Sequence, residues 1–366
     1  MAAATACSLA EAGQRTLAFA ITKGVARALG METSLVPKNV APLLDVVEGH
    51  GGHGTPDEFR DWIQMLLSWR SMDPDLAEDL AALPGINHIG RLLELQRLVQ
   101  SETYDVVVID AAEIAQFLDL PGALDGAARW LDRLFAAPRE KTIFEPFVRA
   151  FAGDYVASAD EVLDVGRGLL SRLADLRDVF GDPELTSVRV VVTAGTAALP
   201  SLQEAMGVLT LFEYRLEAAV LNKVLPDSVT DPFFAPARKQ QETLRGEIAA
   251  LAPELLLVEV ALRPDQPIGL GALRKVAKEL HGKRDPAGFL TEAKEHMIEP
   301  DDGGYVLSVL VPFAAKDQLR LEEVDDGIAV HLNGRRCVIV LPDELLQTEA
   351  TSWTYEGDVL RVVLRK

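Results

Sequence analysis

Apolar positions in this chain follow three spacings. In the first, short β-branched runs are apolar at nearly every position: RTLAFAI (15–21), YDVVVID (104–110), SVRVVVTAG (187–195), LEAAVLNKVL (216–225) and ELLLVEVAL (254–262). Such runs suit strands of a parallel sheet that is covered by helices on both faces. Between them lie segments with helical spacing, among them GRLLELQRLVQSE (90–102) and ARKQQETLRGEIAAL (237–251). Strand alternating with helix predicts an α/β domain with a doubly wound, mainly parallel sheet. The opening residues 2–12 read as a small-residue helix that Gly13 stops before the first strand. Helix, glycine, strand is the second half of a βαβ unit.

The second regime runs from Leu118 to Asp182, where the pattern predicts no strand but a helical insertion, broken near GDY (153–155). Its later part places Val162, Val165, Leu169, Leu173, Leu176 and Phe180 at helical spacing, with charges on the other face. Two readings of that stripe stand side by side: it packs on neighbouring elements, or it lines a groove for an apolar partner. The third regime begins at Tyr305, where the period becomes two. Six short stretches follow, with turn residues at DDG, NG and EGD. They predict a small antiparallel β-sandwich over 305–366, joined by a turn-rich linker, EPDDGG (299–304), to an α/β domain over 1–298.

Charge and composition narrow the functional classes. A formal net charge of −20 argues against a nucleic-acid groove, which needs a basic surface. No run of eighteen apolar residues lacks a charge, so no membrane span is predicted. Cys7 and Cys337 are the only cysteines, which excludes a CxxC zinc site and a disulfide framework and fits a reducing, cytoplasmic setting. The pair His50 and His53 in EGHGGHGTPDE (48–58) invites a metal site, but the glycines make a surface loop the simpler reading, and no metal is expected.

Taken in order along the chain, several segments resemble the ArsA family of anion-pump and tail-anchored-protein-targeting ATPases. MAAATACSLAEAGQRTL is similar to the helix and second strand that follow that family's phosphate loop. LPGINHIGRLLELQRLVQSETYDVVVIDAA resembles the stretch leading into its switch II strand, and LPGALDGAARWLDRLF the start of its helical insertion. LNKVLPDS looks like the asparagine segment on the adenine side, and RPDQPIGLGALRKVAKELHG like the closing loop and helix. The C-terminal strands resemble the α-crystallin-like module carried by one branch of the family. The resemblance implies a P-loop NTPase-type fold, ATP or ADP with magnesium as cofactor, a homodimer, and hydrophobic client proteins or membrane-protein segments as partners.

Carried over residue by residue, the nucleotide site is thin. The chain has no GxxxxGK[ST]. TKGVARALG (22–30) stands where the family has an aspartate- and histidine-bearing switch I, and DAAEIAQF (110–117) where it has a threonine- and histidine-rich switch II. Two positions match: Asp110, as a magnesium-side carboxylate or equally the cap of the next helix, and Asn222, as a base contact or a strand-end turn residue. Lys23 and Gly24 read as a phosphate contact or a plain turn, and Gly269 is retained in the closing loop. In the family's fold the strand before the phosphate loop lies inside the parallel sheet, so its loss would unpair buried backbone groups at about 1–3 kcal/mol each. That cost favours a natural start upstream over a sheet closed around the gap. The leading expectation is an ATPase-like protein with a degenerate nucleotide site, no catalytic residues and a client-binding role. Its alternative is an active ATP-hydrolysing enzyme whose phosphate loop lies upstream of a start placed too late.

Overall fold

The computed structural model describes residues 1–21, 23–48, 57–69, 86–111, 159–291 and 296–365. The first part of the insertion, the GDY break and both histidines of the glycine-rich loop lie outside these residues. The chain divides into two compact units, one of residues 1–112, 123–178 and 267–277, the other of 113–122, 179–266 and 278–366.

In the first unit, helix α1 (Ala2–Glu11) leads to strand β1 (Thr16–Ala20), whose residues are all buried. After β1 come a short helix α2 (Val25–Leu29) and a hairpin of β2 (Ser34–Ala41) and β3 (Leu44–Glu48). Helices α3 (Asp57–Trp69) and α4 (Ile86–Gln100) precede β4 (Val106–Asp110). The sheet order is β2-β3-β1-β4, with β1 parallel to both β3 and β4 and only β2 antiparallel. The hairpin is an element that the apolar spacing did not reveal. Pro37 interrupts β2 with a register shift, as an edge strand tolerates, and Leu43 turns the chain at φ +63°.

Helix α5 (Ala159–Gly181) carries the predicted stripe, and the structure decides between its two readings. Val162, Leu169, Leu173, Leu176 and Phe180 are buried. Trp62 Nε1 donates to the Val162 carbonyl at 3.1 Å, and the Trp62 ring lies directly over Gly166, where an added Cβ would meet it at 3.0 Å. Arg172 ties α5 to Gln96, the Leu93 carbonyl and Glu58. The stripe is core, not an open groove.

The second unit opens with parallel strands β5 (Val188–Thr193), β6 (Leu216–Val224) and β7 (Leu256–Ala261), in that order in one sheet. Helix α6 (Ala198–Leu211) joins β5 to β6, and α7 (Ala235–Leu251) joins β6 to β7. Helix α8 (Leu270–His281) follows; its residues 270–277 belong to the first unit and 278–281 to the second. The fully buried Glu217 accepts from Arg189 Nε at 2.9 Å and from the Leu290 N–H at 3.1 Å, which straps the chain after α8 onto this sheet. The chain thus carries parallel layers with helices, as the α/β class requires.

The C-terminal strands form two antiparallel sheets, β10-β11-β12 and β13-β14-β9-β8. They span Met297–Asp301 (β8), Gly304–Leu310 (β9), Leu319–Val324 (β10), Gly327–Leu332 (β11), Arg335–Val340 (β12), Glu349–Glu356 (β13) and Val359–Arg365 (β14). Asn333 and Gly334 turn at φ +51° and +81°, the left-handed pair a two-residue hairpin needs. One expectation is corrected. Segment 299–304 is not a linker: it is the end of β8, a turn and the start of β9, and Glu299 pairs with Val306. Proline and acidic residues hid the strand, because β8 lies at a sheet edge where both are tolerated.

Two buried polar groups give measurable consequences. His281 is 7 % exposed, and burial, reinforced by Arg189 and Arg284, pushes its pKa down to about 4. The unfolded chain takes up that proton near pH 6.5 while the folded chain does not. Stability is therefore expected to fall by on the order of 3 kcal/mol as pH drops from about 6.5 to 4. In His281→Leu that slope should flatten in urea titrations at stepped pH; an unchanged slope refutes the assignment. Glu48 is 1 % exposed and accepts from the Ala26 N–H at 2.7 Å, near the buried Arg91. Glu48→Ala is expected to cost about 3 kcal/mol in urea unfolding, and Glu48→Gln, which keeps an acceptor, clearly less.

Candidate functional site

In parallel α/β sheets ligands bind beyond the carboxyl ends of the strands. In the first unit those ends form one row: Ala20 of β1 is in register with Glu48 of β3 on one side and Asp110 of β4 on the other. Register partners on parallel strands point to the same face, so the two carboxylates flank β1 about 10 Å apart across two strand spacings. The Ile21 N–H continues the ladder by donating to the Asp110 carbonyl at 3.0 Å.

The row is held from two directions. From one, Gly24 at φ +144° starts α2 and Gly30 at φ +78° ends it. The Ala26 N–H, in its first turn, is spent on the Glu48 carboxylate. From the other, the Arg91 side chain of α4 donates to the Ala20 carbonyl at 2.6 Å and lies 4.6 Å over the Phe19 ring. Arg91 is 3 % exposed, and its Nε has no partner among the described residues. Burial lowers its pKa, while Glu94 and Glu48 oppose the shift. The closing segment reaches the same place: the Gly269 N–H donates to the Ala28 carbonyl at 2.8 Å, and Gly269 sits at φ +82°.

Asn222 ends the corresponding row of the second unit, between Thr193 of β5 and Val260 of β7. It borders a bulge: the register shifts between Asn222 and Val224, and Lys223 adopts φ +60°. The Asn222 side-chain oxygen accepts from the Lys223 N–H at 2.9 Å, which is the local turn bond of an asparagine at a strand end. Beyond the bulge, Arg238 braces the loop through the Pro226 and Val229 carbonyls and Asp227. That loop and the start of α7 line an open cleft of about 590 Å³ whose charged groups are Asp227, Asp231, Arg238, Lys239 and Glu242.

Asp110 and Asn222 belong to different units, and each is placed within its own. Sequence reasoning did not find Glu48 or Arg91. Glu48 ends an apolar run, LDVVE, and Arg91 stands in the apolar stripe with Leu95 and Leu98. A charge at an apolar position was the available signal for both. Among the described residues, groups that magnesium-bound ATP would use are partly committed to bonds within the chain. No acidic side chain lies in the first turn of α2, and one of its N–H groups, that of Ala26, is taken by Glu48. Among the described residues no cluster of three His, Cys, Asp or Glu side chains forms a metal site.

Comparison with known proteins gives the same order of parts. Residues 1–282 match the family model "Anion-transporting ATPase", and residues 302–364 match "HSP20-like domain found in ArsA". The chain is 24 % identical to "Putative arsenical pump-driving ATPase 1" of Aquifex aeolicus, covering 84 % of this chain and 78 % of that protein. It is 22 % identical to "Putative arsenical pump-driving ATPase" of Chlorobaculum tepidum over 99 % of this chain and 91 % of the relative. It is 25 % identical to the ATPase get3 of Schizosaccharomyces japonicus over 55 % of this chain and 62 % of the relative. With its α/β layers under the first model and its antiparallel β-domain under the second, the chain belongs to the anion-transporting ATPase (ArsA) family, in the form that carries an HSP20-like domain.

Proposed function

We propose that this chain is a binding member of its family with a degenerate nucleotide site, and that it shelters apolar segments of client or membrane proteins. The observation that carries the reading is the strand-end row of the first unit. Of its two carboxylates, Glu48 is committed to the Ala26 N–H, and α2 supplies no acidic side chain in its first turn. The Asn222 oxygen is likewise committed to its own turn. Phosphoryl transfer depends on backbone donors, a lysine and metal-binding groups that converge on the phosphates. The residues in hand supply none of these as a set.

The client side of the reading rests on the family resemblance and on the relatives named get3, taken together with the chain's own surface. The α5 stripe does not provide the binding face, because the core consumes it. No helix of the described residues is long and apolar enough to cross a membrane. The homodimer implied by the resemblance would supply further surface.

Calorimetry on the full-length natural protein tests the nucleotide half. Magnesium-ATP and magnesium-ADP are expected to give no saturable heat up to about millimolar concentration, the weak limit of useful affinity. Micromolar binding with turnover would overturn the reading in favour of an ATP-hydrolysing enzyme. For the client half, the protein should suppress aggregation of a thermally unfolded protein and retain a twenty-residue apolar peptide on gel filtration. Failure in both assays refutes the client role.

A further inference from the structure

A C-terminal module with its own family model suggests a tethered accessory. Contacts within the second unit point elsewhere. On α6, Glu204, Gly207 and Leu211 are spaced i, i+3, i+7 and so share one face. Each of the three meets the β-domain or the residue that leads into it. Arg335 of β12 donates to Glu204 Oε1 at 2.9 Å. A Cβ added at Gly207 would lie 2.8 Å from the Pro312 carbonyl oxygen and 3.7 Å from Leu332 Cδ2, so helix backbone and β-domain backbone are in direct contact. Leu211 is the last residue of α6, where carbonyls lack intrahelical partners.

The partners of the Leu211 carbonyl come from the C-terminal part of the chain. The Leu211 carbonyl accepts from Cys337 Sγ of β12 at 3.4 Å and has His296 Nε2 at 3.1 Å. The following residue but one, Glu213, turns at φ +57°, and its carboxylate accepts from the His296 N–H at 2.8 Å. The end of α6 thus closes with a local turn, in which the Tyr214 N–H donates to the Leu209 carbonyl at 2.9 Å and the Glu213 N–H to the Thr210 carbonyl at 3.1 Å, and the Leu211 carbonyl is covered by Cys337 and His296. Cys337 is buried in that contact.

We propose that the HSP20-like domain is a docked clamp that completes the C-terminal end of α6 and makes the β5-β6-β7 layer and the β-domain one cooperative unit. This is independent of whether nucleotide or client binds.

A single substitution separates a clamp from a tether by sign. In a helix free of neighbours, glycine to alanine raises stability through propensity and unfolded-state entropy. Gly168 of α5 has open space around it and serves as the control. In the full chain, Gly168→Ala is expected to raise the melting temperature slightly, whereas Gly207→Ala should lower it. Gly207→Ala should also speed maleimide modification of Cys337 at least tenfold, read by peptide mass spectrometry that distinguishes it from Cys7. Should Gly207→Ala fail to fold, Arg335→Ala carries the test through a severalfold faster modification of Cys337 in a folded protein. The proposal is overturned if Gly207→Ala stabilises as Gly168→Ala does. It is equally overturned if Cys337 of the unaltered chain reacts as fast as it does in urea.

Discussion

The carbonyl end of β1 governs the first unit. Strand β1 lies between β3 and β4, with every residue buried, so its last peptide groups have no access to water. Whatever follows must satisfy them inside the protein, and each unmet group costs about 1–3 kcal/mol. The chain answers with Arg91, brought in from α4 onto the Ala20 carbonyl, while Glu48 of β3 takes an N–H in the first turn of α2. A cation and an anion are thereby buried near one another, an arrangement that is tolerable only because each also holds a backbone group. The position of α2, and through the Gly269 bond that of the closing segment, follows from this arrangement.

The parts of the fold that were legible in the sequence share one trait: their burial pattern is regular. All five continuous apolar runs became parallel strands, and the alternating C-terminal runs became antiparallel ones. Two of the strands that escaped lie at edges. Strands β2 and β8 carry proline with lysine and asparagine or with acidic residues, because one side of each pairs with nothing in its sheet. Edge positions relax the constraint that makes a strand readable, and they favour residues that look like loop.

The candidate site was less legible for a related reason. Asp110 and Asn222 can be placed by position, but their chemistry depends on what else competes for them. Asn222 shows this directly: its oxygen could face a ligand, yet the left-handed Lys223 beside it presents a nearer N–H. Arg91 shows the converse. Its place in an apolar stripe would be an error if read by hydropathy alone, and it becomes intelligible once the Ala20 carbonyl and the Phe19 ring are beside it. Local pattern gives a residue's address, whereas its partners decide its function.

That distinction bears on how a chain only 22–25 % identical to its relatives can carry the same order of parts. Strand order and helix placement depend on which positions are apolar, a property many residues satisfy. A phosphate cradle depends on particular atoms, and its polar groups, once released from a ligand, must find other partners or be lost, because unpaired buried groups are costly. Glu48 and Asn222 each hold a backbone N–H within the chain itself. A ligand that uses the Glu48 carboxylate or the Asn222 oxygen must first displace these bonds. On the reading proposed above, part of the binding energy for nucleotide would be spent on breaking contacts that the fold already makes.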